Sequence, residues 1–375
     1  MSRAAGKTSR SSRLGRARLA LVAAALAFAG TPLSAQIGVG RIVSEHIWVR
    51  MPVDREWLGR ETIVQLEQCW RYVSATTSDA LPRRLLVAID WEARDARVDL
   101  PNGSISIGLA SPAAQAAPKR FLLHGAAREM ALFGLAQVSR GGGLRQEARS
   151  LSEAMAEIMA HEQGRSVKAL SGAWTLAHLL DRIRPLSLVR LAEWPEQGGD
   201  SRFRAAAPAI TFMSSCLELH GRDRGLKLFE ALRKGSVEEA LAAAFRVRPE
   251  VLEEEWLRKV RALGAPEDLT VTAEEDAPVL RQAASAPARP GSVLLLRLGI
   301  EDAIRDLTPG SVFVLDESSR RVFQGVAGRD SAGTFTRIEI PIEAGRAGGN
   351  YTYRAVAIDD AGNVRQWGGS YTVSP

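Results

Sequence analysis

Hydrophobic and polar positions divide the 375-residue chain into stretches of different period. EHIWVRMP (45–52) alternates as a half-buried strand does and stops at Pro52. Asp54 then offers an N-cap, and Trp57, Ile63, Leu66, Cys69, Trp70 and Val73 recur at spacings near three and four, which predicts a helix to about residue 75. LPRRLLVAIDW (81–91) turns at Pro82 into a short apolar run bounded by charge, the pattern of a buried strand. ISIGLA (105–110), introduced by a Pro-Asn-Gly turn, predicts another. The order so far is strand, helix, strand, strand.

Beyond Lys119 the helical period takes over. Helices are predicted over 119–138, 150–162, 174–183, 205–221, 225–235, 236–245 and 250–263. Gly221 and Gly235 stand where C-terminal stops belong, and Ser236 with Glu239 forms a capping box. Gly141-Gly142-Gly143 follows a helix and lacks the Lys-Ser/Thr pair of a phosphate loop, so it reads as a connector. A small sheet followed by a mostly helical remainder is an α+β arrangement. Residues 265–290 are rich in Ala, Pro and Glu without a sustained period and read as a linker. From Gly291 to residue 375 the pattern changes to short alternating runs (VLLLRL, SVFVLD, FTRIEIPI, NYTYRAVAI, SYTV), which predict a small all-β sandwich.

Charge changes this picture at one end. Arg3, Lys7, Arg10, Arg13, Arg16 and Arg18 precede the apolar run LALVAAALAFAG (19–30), and small residues follow. Residues 1–35 therefore read as a signal peptide, cleaved after Ala29 or Ala35, and the protein as exported to the periplasm or exterior. The apolar run is shorter than the roughly 20 residues of a spanning helix, so no integral span is expected after cleavage. These 35 residues hold six basic and no acidic side chains, so removing them takes the net charge from +6 to near zero. The high pI thus belongs to the leader, and nucleic acid is not an expected partner. In an oxidising compartment Cys69 and Cys216 can form a disulfide, but both lie in apolar helical contexts where Cys behaves as a small buried hydrophobe.

The candidate chemistry sits in two of the predicted helices. In FLLHGAAREMALFGLA (121–136), His124 and Arg128 are four apart and share a face. In SLSEAMAEIMAHE, Glu153, Glu157 and His161 form a stripe at the same spacing. HGAAR (124–128) followed by SEAMAE (152–157) resembles the gluzincin, or peptidase MA-like, zinc metallopeptidases, with HGAAR where HEXXH stands and SEAMAE where the third-ligand segment stands. The resemblance covers residues 36–264. It implies a gluzincin-like domain in which His124 matches the first zinc ligand, Gly125 the general base, Arg128 the second ligand and Glu153 the third. The hairpin YTYRAVAIDDAGNVRQW likewise resembles the closing hairpin of bacterial Ig-like or fibronectin-type domains, which covers residues 291–375.

Two of the four matched positions have lost their chemistry. Gly125 takes no proton from water, and a guanidinium stays protonated without a lone pair to offer. A dication about 4 Å from Arg128 would be repelled by roughly 8 kcal/mol at an effective dielectric near 20. No cofactor is therefore expected. Arg128 instead suits a bridge to Glu153 that ties the two helices together. The plainer alternative is a solvated Arg128 and Glu129 with His124 as a core histidine. Glu157 and His161 lie one and two turns past Glu153, too far along the axis for all of them to meet His124. The family also holds substrate on an edge strand, and the resemblance places that strand at Ser104, Ile105, Ser106, Ile107 and Gly108. Three readings follow: a non-catalytic peptidase-like module that binds a peptide or protein, a zinc metallopeptidase with atypical ligands, and a structural envelope protein that recognises through its Ig-like domain.

Overall fold

The computed structural model describes residues 39–94, 96–193, 202–263, 278–301, 311–316, 321–330, 333–359 and 362–375, so the leader predicted for residues 1–35 lies outside the described residues. The first layer is a five-stranded sheet. β1 (Val39–Val43) and β2 (Ile47–Pro52) lead through one 3-10 turn into α1 (Glu56–Thr76), and β3 (Leu85–Asp90), β4 (Arg97–Asp99) and β5 (Ser104–Gly108) follow. The strand order is β1-β2-β3-β5-β4, with β2, β3 and β5 parallel and β4 antiparallel to β5. Alternation sets the faces: Ile47, Val49, Leu85, Val87, Ile105 and Ile107 are buried on one side. α1 starts after Arg55 with no side-chain cap, so Asp54 does not serve as its N-cap and sits in the preceding 3-10 turn.

This order corrects the edge expected at Ser104–Gly108. β5 is an interior strand, because β3 pairs along 104–108 on one side and β4 covers 104–106 on the other. The edge on that side of the sheet is Arg97–Asp99, and β1 forms the opposite edge. Three residues are too short to display an alternating period, which is why the sequence pattern hides this strand.

The helical layer runs α2 (Pro112–Ala116), α3 (Pro118–Val138), α4 (Gln146–Glu162), α5 (Leu170–Ile183), α6 (Leu188–Glu193), α7 (Arg202–His220), α8 (Arg222–Ala231), α9 (Val237–Phe245) and α10 (Pro249–Ala262). α3 is the central helix, buried along most of its length because Ala, Leu, Phe, Met and Gly fill most of its positions from Phe121 to Ala136. Both parts of the Ser236/Glu239 capping box at α9 are present. The glycine run 141–143 is a tight helix-to-helix connector, with Gly141 at φ 83° and a 3-10 turn over Gly142–Leu144. Cys69 and Cys216 are free, buried thiols, and burial pushes Cys69 up to about 11, so they act as small core hydrophobes and form no disulfide here.

The C-terminal strands are β6 (Val279–Ser285), β7 (Val293–Glu301), β8 (Val312–Asp316), β9 (Arg321–Gln324), β10 (Val326–Asp330), β11 (Gly333–Pro341), β12 (Gly349–Ile358) and β13 (Val364–Val373). They form two four-stranded antiparallel sheets, β10-β11-β7-β6 and β13-β12-β8-β9, around a shared core of Leu294, Leu296, Val314, Ile338 and Ala355. The linker expected over 265–290 is shorter than the composition suggested, because Val279–Ser285 pairs with β7 and Ala288 bridges to Val373. The closing hairpin turns through Asp359, whose carboxylate accepts from the Asn363 backbone N–H and side-chain amide at 2.8 Å each, with Gly362 at φ 79°. Of the turn 360–363, residues 360 and 361 lie outside the described residues.

The sandwich also packs on the helices. β8 is buried at every position, because Val312 and Val314 face the sandwich core while Phe313 and Leu315 join Val356, Ile358 and Val364 in the helical core. At this junction a Cβ on Gly172 of α5 would lie 2.0 Å from the carbonyl oxygen of Gly362, so only glycine permits the approach. Among the described residues no helix is long and apolar enough to cross a membrane.

Candidate functional site

α3 and α4 form an antiparallel hairpin closed by the glycine connector. A step of four along α3 is therefore answered by a step of four back along α4. His124 Nδ1 lies 3.8 Å from Glu157 Oε1, and one turn later Arg128 Nη2 lies 3.7 Å from Glu153 Oε2. Arg128 Nε is also 3.8 Å from Glu157 Oε2, and its Nη1 donates to Glu129. The expected bridge between Arg128 and Glu153 is present, with two further carboxylates on the same guanidinium. Glu153, Glu157 and His161 do not all meet His124, as their axial spacing implied, but the one that does is Glu157, while Glu153, the residue matched to the third ligand, sits one turn away opposite Arg128. Chain direction decides this, since antiparallel packing places the later residue of α4 against the earlier residue of α3. His161 is exposed and takes no part.

The network is closed from above by the segment after α4. Ser166 donates its hydroxyl to Glu157, and the Val167 N–H donates to His124 Nδ1 at 3.4 Å. Accepting at Nδ1 places the imidazole proton of neutral His124 on Nε2. On the outer side Arg149 Nε donates to Glu153 at 3.0 Å. Sequence reading missed Ser166 and Val167, and the alternative of a solvated Glu129 is corrected, since Glu129 is buried beside Arg128.

Burial lowers His124 to about 4, against a smaller opposing pull from Glu157, so the ring is neutral at pH 7. Burial works to raise Glu157, but the neighbouring imidazole, Arg128 and the Ser166 hydroxyl outweigh it and hold the carboxyl below its usual range. Burial also works against the charge on Arg128, and Glu129, Glu153 and Glu157 overcome it. The guanidinium therefore stays charged, and its side chain is only 17% exposed.

These residues do not fit zinc. A permanent cation already occupies the space between Glu153 and Glu157, the carboxylates that would have to bind the ion. Position 125, which the resemblance matches to a base, is closed as well, because a Cβ built on Gly125 would meet Ile107 Cγ2 at 2.9 Å. A glutamate there would have to displace β5 packing before it could reach a substrate.

One other group of His and carboxylate side chains, Glu45, His46 and Glu67, is close enough to hold an ion among the described residues. Its bonds are already used. Glu67 accepts from Ser44 Oγ at 2.7 Å and the His46 backbone N–H at 3.2 Å and pairs with the His46 ring, while Arg71 lies 3.2 Å from Glu45 and 3.5 Å from Glu67. His46 also stacks on Trp70 at 3.8 Å. The group pins the turn between β1 and β2 to α1.

No family model and no curated protein matches this chain.

Proposed function

We propose that this chain is an exported, non-catalytic peptidase-like protein that holds a peptide or protein segment without cutting it. The gluzincin-like and Ig-like identities of its two lobes belong to this reading. One observation carries it: the position of the second metal ligand holds Arg128, bound by Glu129, Glu153 and Glu157 in a network that does the tying an ion would otherwise do. Gly125 under Ile107 supports it, since it leaves that position without a base and without room for one.

Binding would use strand addition at the free edge of Arg97–Asp99, in place of the interior strand Ser104–Gly108. Recognition through the sandwich has less support, because one sheet of that lobe spends its outer face on the helical core. Metal analysis of the purified protein tests the reading directly: zinc below stoichiometry and no chelator-sensitive peptide hydrolysis are expected. Stoichiometric zinc with such hydrolysis would overturn it. A proline scan across Arg97–Asp99 should abolish capture of extended peptides, since proline removes edge N–H donors.

A further inference from the structure

The five-stranded sheet has a second face, turned away from the helices that cover Ile105 and Ile107. The register places Arg50 beside Ala88, Ala88 beside Ser106 and Ser106 beside Arg97, so these four form one row across the sheet. The neighbouring row is Trp48, Leu86, Ser104 and Asp99. Small residues at Ala88, Ser104 and Ser106 thus floor a shallow trough, with Arg50 and Trp48 on one side and Arg97 on the other. Adjacent strands are about 4.8 Å apart, so the backbones carrying the two arginines are about 14 Å apart.

The charge on this face is unspent. Arg41 and Arg84 stack on Trp48 with guanidinium carbons 3.8 and 5.3 Å from the ring centre. Arg41, Arg50, Arg84 and Arg97 are all exposed, and none has a carboxylate partner among the described residues. Among the described residues two acids lie on this face, and both are committed to turns. Asp90 accepts from the Glu92 and Ala93 N–H groups at 2.9 and 3.0 Å, and Asp99 from the Asn102 N–H and amide at 3.3 and 2.7 Å. The Nε1–H of Trp48 has no acceptor.

We infer that this face docks an extended acidic segment of a partner polypeptide. Guanidinium forks match carboxylates in two-point hydrogen bonds, and the serine hydroxyls add donors on the floor. Guanidinium groups stack on Trp48, which disfavours a sugar ring or a base as the ligand. An extended chain advances about 3.4 Å per residue, so acidic residues four apart present carboxylates about 14 Å apart, the separation of Arg50 and Arg97. This surface is distinct from the backbone edge of β4 and stands without the peptidase-like reading.

Titration of the purified protein with a labelled 20-residue poly-L-glutamate tests it, read by fluorescence anisotropy. Saturable binding is expected at about 0.05 M salt and marked weakening at about 0.5 M. Arg50→Gln and Arg97→Gln should each weaken binding about tenfold, and the pair more than either. Arg258→Gln, an exposed arginine on α10, should change nothing. Thermal melts check that each variant is folded, and Arg41→Gln gives an independent reading if one is not. Unchanged binding in the folded double variant, or no saturable binding by the wild type, overturns the inference. Tighter binding of heparin with the same variant dependence also overturns it and assigns the face to a sulfated glycan. Loss in the proline scan of β4 with full binding by Arg50→Gln overturns it in favour of the backbone edge.

Discussion

Arginine plays opposite parts in the helix hairpin and on the outer sheet face. Arg128 is enclosed and every part of its guanidinium meets a carboxylate, whereas Arg50 and Arg97 stand in solvent with none among the described residues. Burial accounts for the difference. A charge removed from water must be compensated by the fold itself, and once compensated it has little left to offer a ligand. A charge left in water is under no such demand, and its hydrogen-bonding capacity remains available. Resemblance to a peptidase directs attention to the hairpin, yet the unspent chemistry of this chain lies on the other face of the neighbouring sheet.

The largest effect should come from breaking the hairpin network. Arg128→Met leaves Glu129, Glu153 and Glu157 close together without their shared cation, and should destabilise the protein by about 3–5 kcal/mol in urea unfolding. A loss below about 1 kcal/mol would mean that the network is looser than its distances of 3.7–3.8 Å imply.

Acid should come next. His124 is held at about 4, below its ordinary 6.5, so the unfolded chain binds its proton first and stability falls as pH drops from about 6.5 to 4. Glu157, held below the ordinary carboxyl range, adds a loss in the same direction at still lower pH. The histidine contribution is about 3 kcal/mol, at 1.4 kcal/mol per pKa unit. Unfolding measured at pH 7 and pH 4 checks it, and His124→Asn should flatten the profile between those values. An equally steep profile in the variant would place the acid sensitivity elsewhere.

Much of the hairpin was legible in the sequence. The i, i+4 spacing of His124 and Arg128, and of Glu153 and Glu157, puts each pair on one helix face, and two such stripes on consecutive helices point at each other. Their partner assignment was not legible, because it depends on where α4 begins. QEAR (146–149) is polar and hides the first turn, and a helix starting at Gln146 after a tight connector fixes the antiparallel offset. β4, β9 and β10 escaped for a different reason: with three to five residues each, they are stabilised by neighbours in the sheet and carry little pattern of their own. The packing of the two lobes did leave a trace. VFVLD has no polar alternation before its last residue, the pattern of a strand covered on both faces, which a free-standing sandwich would not need. The outer sheet face was invisible as a site, because its arginines are scattered over residues 41–97 and only strand register gathers them.

A smaller effect is expected at Gly125. Gly125→Ala places a methyl 2.9 Å from Cγ2 of the β-branched Ile107 and should cost about 1–3 kcal/mol by overpacking. Ile107→Val should recover only a small part of that loss, since it removes the Cδ1 methyl at 3.4 Å and leaves Cγ2 in place. Additive losses in the double variant, measured in the same urea titrations, would show that the two side chains do not share this space.

The smallest effect returns to the outer face. Arg50→Ala and Arg97→Ala should change unfolding free energy by no more than about 0.5 kcal/mol each, because among the described residues neither side chain holds a partner that its removal would orphan. Relieving mutual repulsion among four nearby guanidinium groups could even raise stability slightly at low salt, and added salt should erase that gain. A loss above about 1 kcal/mol in either variant would mean that these arginines support the fold, and the contrast with Arg128 would then disappear. If stability is unmoved while acidic peptide binding falls, the two regions divide the work: the hairpin spends its charge on holding the structure together, and the sheet keeps its charge for a partner.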